Sequence, residues 1–148
     1  LTPEKISNML DHKAPKIEQR LAAIKDLAEN GWKIGLRFDP LIYAINWRQQ
    51  YKFLFDQIFE VISEKSIHSI SYGPLRFPKD MFKKITKLYP EEKIFAGMYK
   101  LKNGTFSYRH DIENEMREFC EFQFKKYVSN TVVFNCIVEP VETIDSSC

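Results

Sequence analysis

Arg76 and Asp39 are the side chains of this sequence best placed, by type and by neighbours, to do chemistry. Arg76 sits in the run Ser71-Tyr-Gly-Pro-Leu-Arg-Phe-Pro-Lys79, where a buried strand should give way to a helix and where Pro74 and Pro78 stiffen the connection. A guanidinium at that point can grip a carboxylate or phosphate through two parallel hydrogen bonds. It can equally tie down a neighbouring strand end. Asp39 closes a second such segment, Arg37-Phe-Asp-Pro40. An acid after a buried strand can hold a ribose hydroxyl or an amine, or simply make an Asx turn before the proline. Open α/β sheets and (β/α) barrels take their ligands at the carboxyl ends of strands, so two polar strand ends suggest one shared cleft. Tyr99 and Tyr108 could stack on a base, or on each other across a hairpin.

Other chemistries lack their residues. The five glycines are scattered and form neither a phosphate loop nor a dinucleotide fingerprint. No nucleophile elbow is present. His12, His68 and His110 are far apart, and none has a second ligand at helical spacing, which reads as surface or capping histidines. Cys120, Cys136 and Cys148 match no zinc, iron–sulfur or redox spacing. The acids of Asp111-Ile-Glu-Asn-Glu115 suit the first turn of a helix, where the dipole favours them; a catalytic carboxylate pair is the other reading. A net charge of +2 is too small to mark a nucleic-acid binder by itself.

The elements that must position these residues follow from periodicity. Thr2-Pro-Glu4 starts a short helix with Ile6, Met9 and Leu10 on one stripe. A longer helix spans about residues 16–29 and stops at Asn30-Gly31. A strand over residues 33–38 is expected to end at Asp39-Pro40, since proline offers the ladder no N–H. Asn46 is placed to cap the clearest helix, 47–63, in which Tyr51, Leu54, Phe55, Ile58, Phe59 and Ile62 share one face. A second strand covers 67–72, completing a strand-helix-strand unit that should cross right-handed. The next helix covers 79–88, with Met81, Phe82, Ile85 and Leu88 inward and Lys83, Lys84 and Lys87 outward. Asn103-Gly104 joins residues 94–101 and 105–109 as a hairpin. Asp111 is expected to cap a helix reaching about residue 128, and the β-branched run 131–138 is a last strand.

At 148 residues the chain suffices for one domain with its own core. No apolar run nears the roughly 18 residues of a membrane helix. An odd cysteine count, with no charged-then-apolar leader, points to a reducing cytoplasm. Two strands in α/β alternation are few for a closed domain, and the first residue is Leu1. The sequence therefore reads as a piece of a longer chain cut upstream, a trimmed or processed chain being the alternative.

Several segments together resemble one family. Leu1-Thr-Pro-Glu-Lys-Ile6, Lys16-Ile-Glu-Gln-Arg-Leu-Ala-Ala-Ile-Lys25 and Gly31-Trp-Lys-Ile-Gly-Leu-Arg-Phe-Asp-Pro40 look like the later half of spore photoproduct lyase and its DNA-repair-photolyase relatives. The likeness continues through Trp47, Tyr51 and Leu54, Leu75-Arg-Phe77, Lys87-Leu-Tyr-Pro90 and the hairpin residues Gly97, Tyr99, Gly104 and Tyr108, ending near Tyr127.

The resemblance implies an α/β fold: the C-terminal part of a partial (β/α)6 radical S-adenosylmethionine barrel, with an appended β-hairpin and terminal helix. Strands 33–38 and 67–72 would be the fifth and sixth of that barrel. Residues 1–92 would be barrel, 93–138 a lesion-facing hairpin, helix and strand, and 139–148 a flexible tail. Phe38, Asp39 and Pro40 would bound the S-adenosylmethionine; Asp39 stands where the family usually has a small apolar residue. Arg76 would face the substrate, with Leu75 replacing a family histidine, and Tyr99 and Lys102 would meet it from the hairpin. A family arginine of the hairpin has no counterpart in Ala96-Gly-Met-Tyr99. The cysteines that bind the [4Fe–4S] cluster, and the one that donates hydrogen, lie upstream in the family, so this segment alone should be inactive. The implied whole is a monomeric enzyme that repairs a thymine-type photolesion in DNA through a 5'-deoxyadenosyl radical, this segment joining the N-terminal half of the same polypeptide. The rival from another class is a non-enzymatic α/β module whose basic helix and hairpin hold nucleic acid.

Overall fold

The computed structural model describes residues 1–10, 13–95 and 99–136. His12, hairpin residues 96–98, strand residues 137–138 and the tail 139–148 lie outside the described residues.

Helix α1 spans Glu4–Leu10 and α2 spans Ile17–Glu29. Helix α2 stops where expected: Gly31 takes φ +83°, its N–H reaches the carbonyl of Ala28, and the N–H of Trp32 reaches that of Leu27. This two-bond closure needs a left-handed residue, which costs glycine no Cβ clash. Strand β1 is Ile34–Leu41, helix α3 is Trp47–Val61 and strand β2 is Ile67–Pro74. Asp39-Pro40 therefore does not end β1. The Asp39–Pro40 peptide is cis, and the strand resumes pairing at Leu41, opposite Pro74, after an irregularity. Pro40 is tolerated because β1 is an edge strand, hydrogen-bonded on one side only among the described residues. Asn46 precedes α3 in the left-handed region at φ 57° and makes no side-chain cap, so its capping role is not realised.

A third strand, β6 (Val133–Asn135), pairs parallel to β2 and completes the order β1-β2-β6. Arg76–Pro78 forms a short strand β3, which the sequence reading had placed in a connection. It joins β4 (Tyr99–Lys102) and β5 (Thr105–Tyr108) in a separate antiparallel sheet of order β3-β5-β4. Asn103 and Gly104 both hold positive φ, 47° and 78°, as a two-residue hairpin turn demands.

Helix α4 is Lys79–Leu88 and α5 is His110–Phe124. In α4 only part of the expected face is covered: Phe82 and Ile85 are half-buried, whereas Met81 and Leu88 are exposed. The three-stranded sheet beneath is too small to cover a whole helix face. Arg109, not Asp111, is the residue before α5; Asp111 lies within its first turn and pairs with Arg109 at 2.8 Å.

The core lies on one face of the parallel sheet. Leu36 and Phe38 of β1, with Ile70 and Tyr72 of β2, meet Tyr51, Leu54, Phe55 and Ile58 of α3 and Met116, Cys120 and Phe124 of α5. Phe38 contacts Phe55 edge-on at 4.9 Å, and Phe55 lies 4.7 Å from Phe124. Among the described residues no helix is long and apolar enough to cross a membrane.

Phe55 is fully buried while Phe53, on the same helix, is 65% exposed. Phe55→Ala should cost about 3–5 kcal/mol, and Phe53→Ala less than about 0.5 kcal/mol. Urea unfolding monitored by circular dichroism measures both, and equal losses would show that α3 is wrongly faced.

Candidate functional site

Period-two alternation turns Gly35, Arg37 and Asp39 of β1 away from the core. Their register partners in β2 continue the same face, with Ser69 beside Gly35 and Ser71 beside Arg37. Gly73 lies further along it: a Cβ there would point at Asp39, Arg76 and Cys136. Parallel sheets are ordinarily covered on both faces. This one has helices on one face and, on the other, glycines, serines and two charged side chains, with Arg37 and Phe134 exposed.

The carboxyl ends of all three parallel strands converge at Arg76. Its Nη2 donates to Asp39 Oδ2 at 3.0 Å, and its Nη1 donates to the Cys136 carbonyl, just past β6, at 2.6 Å. Arg37 Nη2 also reaches Asp39 Oδ2 at 3.0 Å. The Leu75 N–H donates to the Leu41 carbonyl at 3.1 Å, closing the β1 and β2 ends against each other. The two polar strand ends thus share one edge. Arg76 does tie a neighbouring strand end, and Asp39 is engaged by two guanidiniums.

Position 73 is close-packed: a Cβ there would stand 3.0 Å from that of Cys136, a tight contact, and at an ordinary 3.6 Å from both the Arg76 and Asp39 groups. Cys120 is fully buried in α5, and burial pushes its thiol pKa far up, which keeps it inert. Among the described residues no group of three or more His, Cys, Asp or Glu side chains could hold a metal ion.

Arg76 and Ser107 are register partners, so the hairpin lies directly against the strand end. Its two sequence-expected contacts both have protein partners, where a free ring and a free ammonium facing a cleft were expected. The Tyr99 ring stacks on Tyr108 at 4.8 Å and packs near Phe82 at 5.3 Å. Burial drives the Tyr99 hydroxyl pKa upward, and the neighbouring Tyr108 adds to it. Tyr108 in turn accepts the Tyr43 N–H at 3.0 Å, pinning the hairpin to the segment after β1. The Lys102 ammonium is bound to Glu113, which also takes the Ser107 hydroxyl. Glu113 is 4% exposed, so a buried carboxylate on α5 anchors the hairpin. The sequence showed it only as one acid among several in a first helical turn.

Beside the β1–α3 connection lies a cleft of about 970 Å3, walled by Met9, Leu10, Tyr43, Ile45 and Trp47, with Glu92 at its rim.

The family model for spore photoproduct lyase matches residues 2–135 of this chain. The spore photoproduct lyase of Clostridium acetobutylicum is 27% identical over 127 residues, which are 82% of this chain and 37% of that protein. A solved cysteine-to-alanine variant of spore photoproduct lyase superposes with a TM-score of 0.73 at 18% identity, over 91% of this chain and 42% of the other. A variant structure with bound AdoMet and dinucleoside spore photoproduct gives 0.71 at 17% identity, over 94% of this chain and 43% of the other. The fold is thus mixed α/β and similar to theirs, and the chain spans about two fifths of the length of these relatives.

Gly73→Ala should destabilise by about 1 kcal/mol, since Cys136, just past β6, must shift slightly to admit the methyl group; an unchanged melting temperature would contradict the packing. Lys102→Met leaves the buried Glu113 carboxylate without its cation and should destabilise the fold by about 1–3 kcal/mol. Urea unfolding at neutral pH measures the loss, and an unchanged midpoint would mean that the Lys102–Glu113 pair does not anchor the hairpin.

Proposed function

Since the chain belongs to the spore photoproduct lyase family, we propose that it forms the carboxyl-terminal part of a radical S-adenosylmethionine lyase that repairs a thymine-type photolesion in DNA. The observation that carries this reading is a face of the parallel sheet that no other element covers among the described residues. A sheet buried on one side by helices and lined on the other by Gly35, Ser69, Ser71 and Gly73 suits the inner wall of a partial (β/α)6 barrel, with the Asp39–Arg76 edge at its ligand end.

The residues present fit part of the machinery. Asp39 and Pro40 would bound S-adenosylmethionine: small side chains beside them on that face suit a flat adenosyl group, and Asp39 adds an acceptor at its edge. The Phe38 side chain, expected beside them, is instead fully buried on the opposite face against Phe55 and Phe124, so it supports the site from the core and does not meet the cofactor. The cofactor would supply, on reduction, the radical that begins the repair. The [4Fe–4S] cluster does not fit the described residues, none of which group as a metal site; its ligands are assigned to the N-terminal half of the same polypeptide. Arg76 is assigned to the substrate, its fork oriented beforehand by Asp39 and the Cys136 carbonyl. Tyr99 and Lys102 would shape the hairpin that closes on the lesion, the first through its packed ring and the second through its tie to Glu113. The enzyme would act as a cytoplasmic monomer.

The complete polypeptide, carrying its cluster and reduced anaerobically with S-adenosylmethionine, should convert a spore-photoproduct oligonucleotide to its repaired form, while residues 1–148 alone should not. Arg76→Ala in the complete protein should weaken lesion binding by about 10–100-fold. Turnover or lesion binding unaffected by that change would remove Arg76 from the site, and a cluster-loaded protein inert toward the lesion would refute the repair assignment.

A further inference from the structure

We infer that Arg37 and Arg76, which share a single carboxylate, form a binding site for one oxyanion on the face of the parallel sheet left without a covering element among the described residues. The oxyanion is either a phosphodiester group of the nucleic-acid substrate or the carboxylate of S-adenosylmethionine. The choice of ligands rests on the proposed function, but the site itself rests on geometry.

Both guanidiniums donate to the same oxygen, Asp39 Oδ2, at 3.0 Å. Among the described residues, two cations around this one anion leave a local charge of +1. Arg48, Arg109 and Arg117 behave differently, each lying against its own carboxylate, of Glu115, Asp111 and Glu121 respectively. The Asp39 side chain is only 8% exposed, so it sits beneath the two forks, whereas Arg37 is 71% exposed and Arg76 28%. Each guanidinium carries five N–H donors, more than the bonds to Asp39 and Cys136 employ. Arg76 is fixed at two points, which lowers the entropy lost when it grips a ligand. The residue beside Arg37 in register is the small Ser71, while Gly73 lets Cys136, Arg76 and Asp39 close together beneath the forks. Planar forks of this kind match phosphate and carboxylate oxygens. Arg37 thus becomes a ligand-binding residue, and Asp39 the group that positions it.

Side-chain 15N–1H spectra of the chain, titrated with inorganic phosphate, test the site directly. Saturable shifts should appear at the Arg37 and Arg76 Nε–H signals, with those of Arg76 weakened in Arg37→Gln; their absence overturns the inference. Two ligand arms then separate the sources. Against a labelled oligothymidylate, Arg37→Gln should lose about tenfold in affinity and about 0.7 of the logarithmic salt slope, while Lys25→Gln on the helical side changes neither. A tenfold loss for S-adenosylmethionine in calorimetry, with oligothymidylate unaffected, would assign the anion to the cofactor. Unchanged affinity for both ligands overturns the inference. Wild-type phosphate shifts with no binding of either ligand would count against the proposed function and leave the oxyanion site standing.

Discussion

Three parallel strands end within reach of one guanidinium. Arg76 holds the Asp39 carboxylate of β1 and the carbonyl that follows β6, while its own backbone continues β2. Strand ends are where a sheet's ladder runs out and backbone groups need other partners. Here a side chain supplies them, and the same side chain defines the candidate site. Removing Asp39 from this cluster costs more than its pairings contribute, because two guanidiniums are left beside each other without their shared anion. The site and the closure of the sheet therefore stand or fall together.

The two faces of that sheet divide the labour. On one, Phe38, Phe55, Phe124 and their neighbours bury apolar area and supply most of the stabilisation. On the other, small and charged residues contribute little to a core. Parallel sheets are ordinarily covered on both faces, and this chain spans about two fifths of its relatives. The Gly35 and Gly73 positions show how far side-chain volume has been given up there, with Gly73 packed closely against Cys136.

Local signals were legible in the sequence and distant pairings were not. The stripe through Tyr51 and Phe55 placed α3 because helical periodicity survives in a single segment, and Asn103-Gly104 placed the hairpin because the turn is set by its own two residues. Asp39 and Arg76 were each visible as polar strand ends, yet their contact spans 37 positions and depends on β1 and β2 lying in register. Strand β3 was hidden by its length, three residues ending in a proline. Pro40 misled because its effect on a ladder depends on whether the strand is at an edge, a tertiary fact. Glu113 looked like any first-turn acid because its partners Lys102 and Ser107 come from the hairpin. Tyr99 looked available because aromatic residues that pack on one another and those that meet a ligand are the same residue types.

One residue, Leu75, separates β2 of the parallel sheet from β3 of the hairpin sheet. Its N–H is bonded to the Leu41 carbonyl, and Arg76 follows immediately. A one-residue joint fixes β3 beside the ends of the parallel strands, so the guanidinium that clasps those ends belongs by its backbone to the hairpin sheet. Lys102 and Tyr108 tie the same hairpin to α5 and to the segment after β1, which makes the strand-end clasp the meeting point of both sheets and the terminal helix.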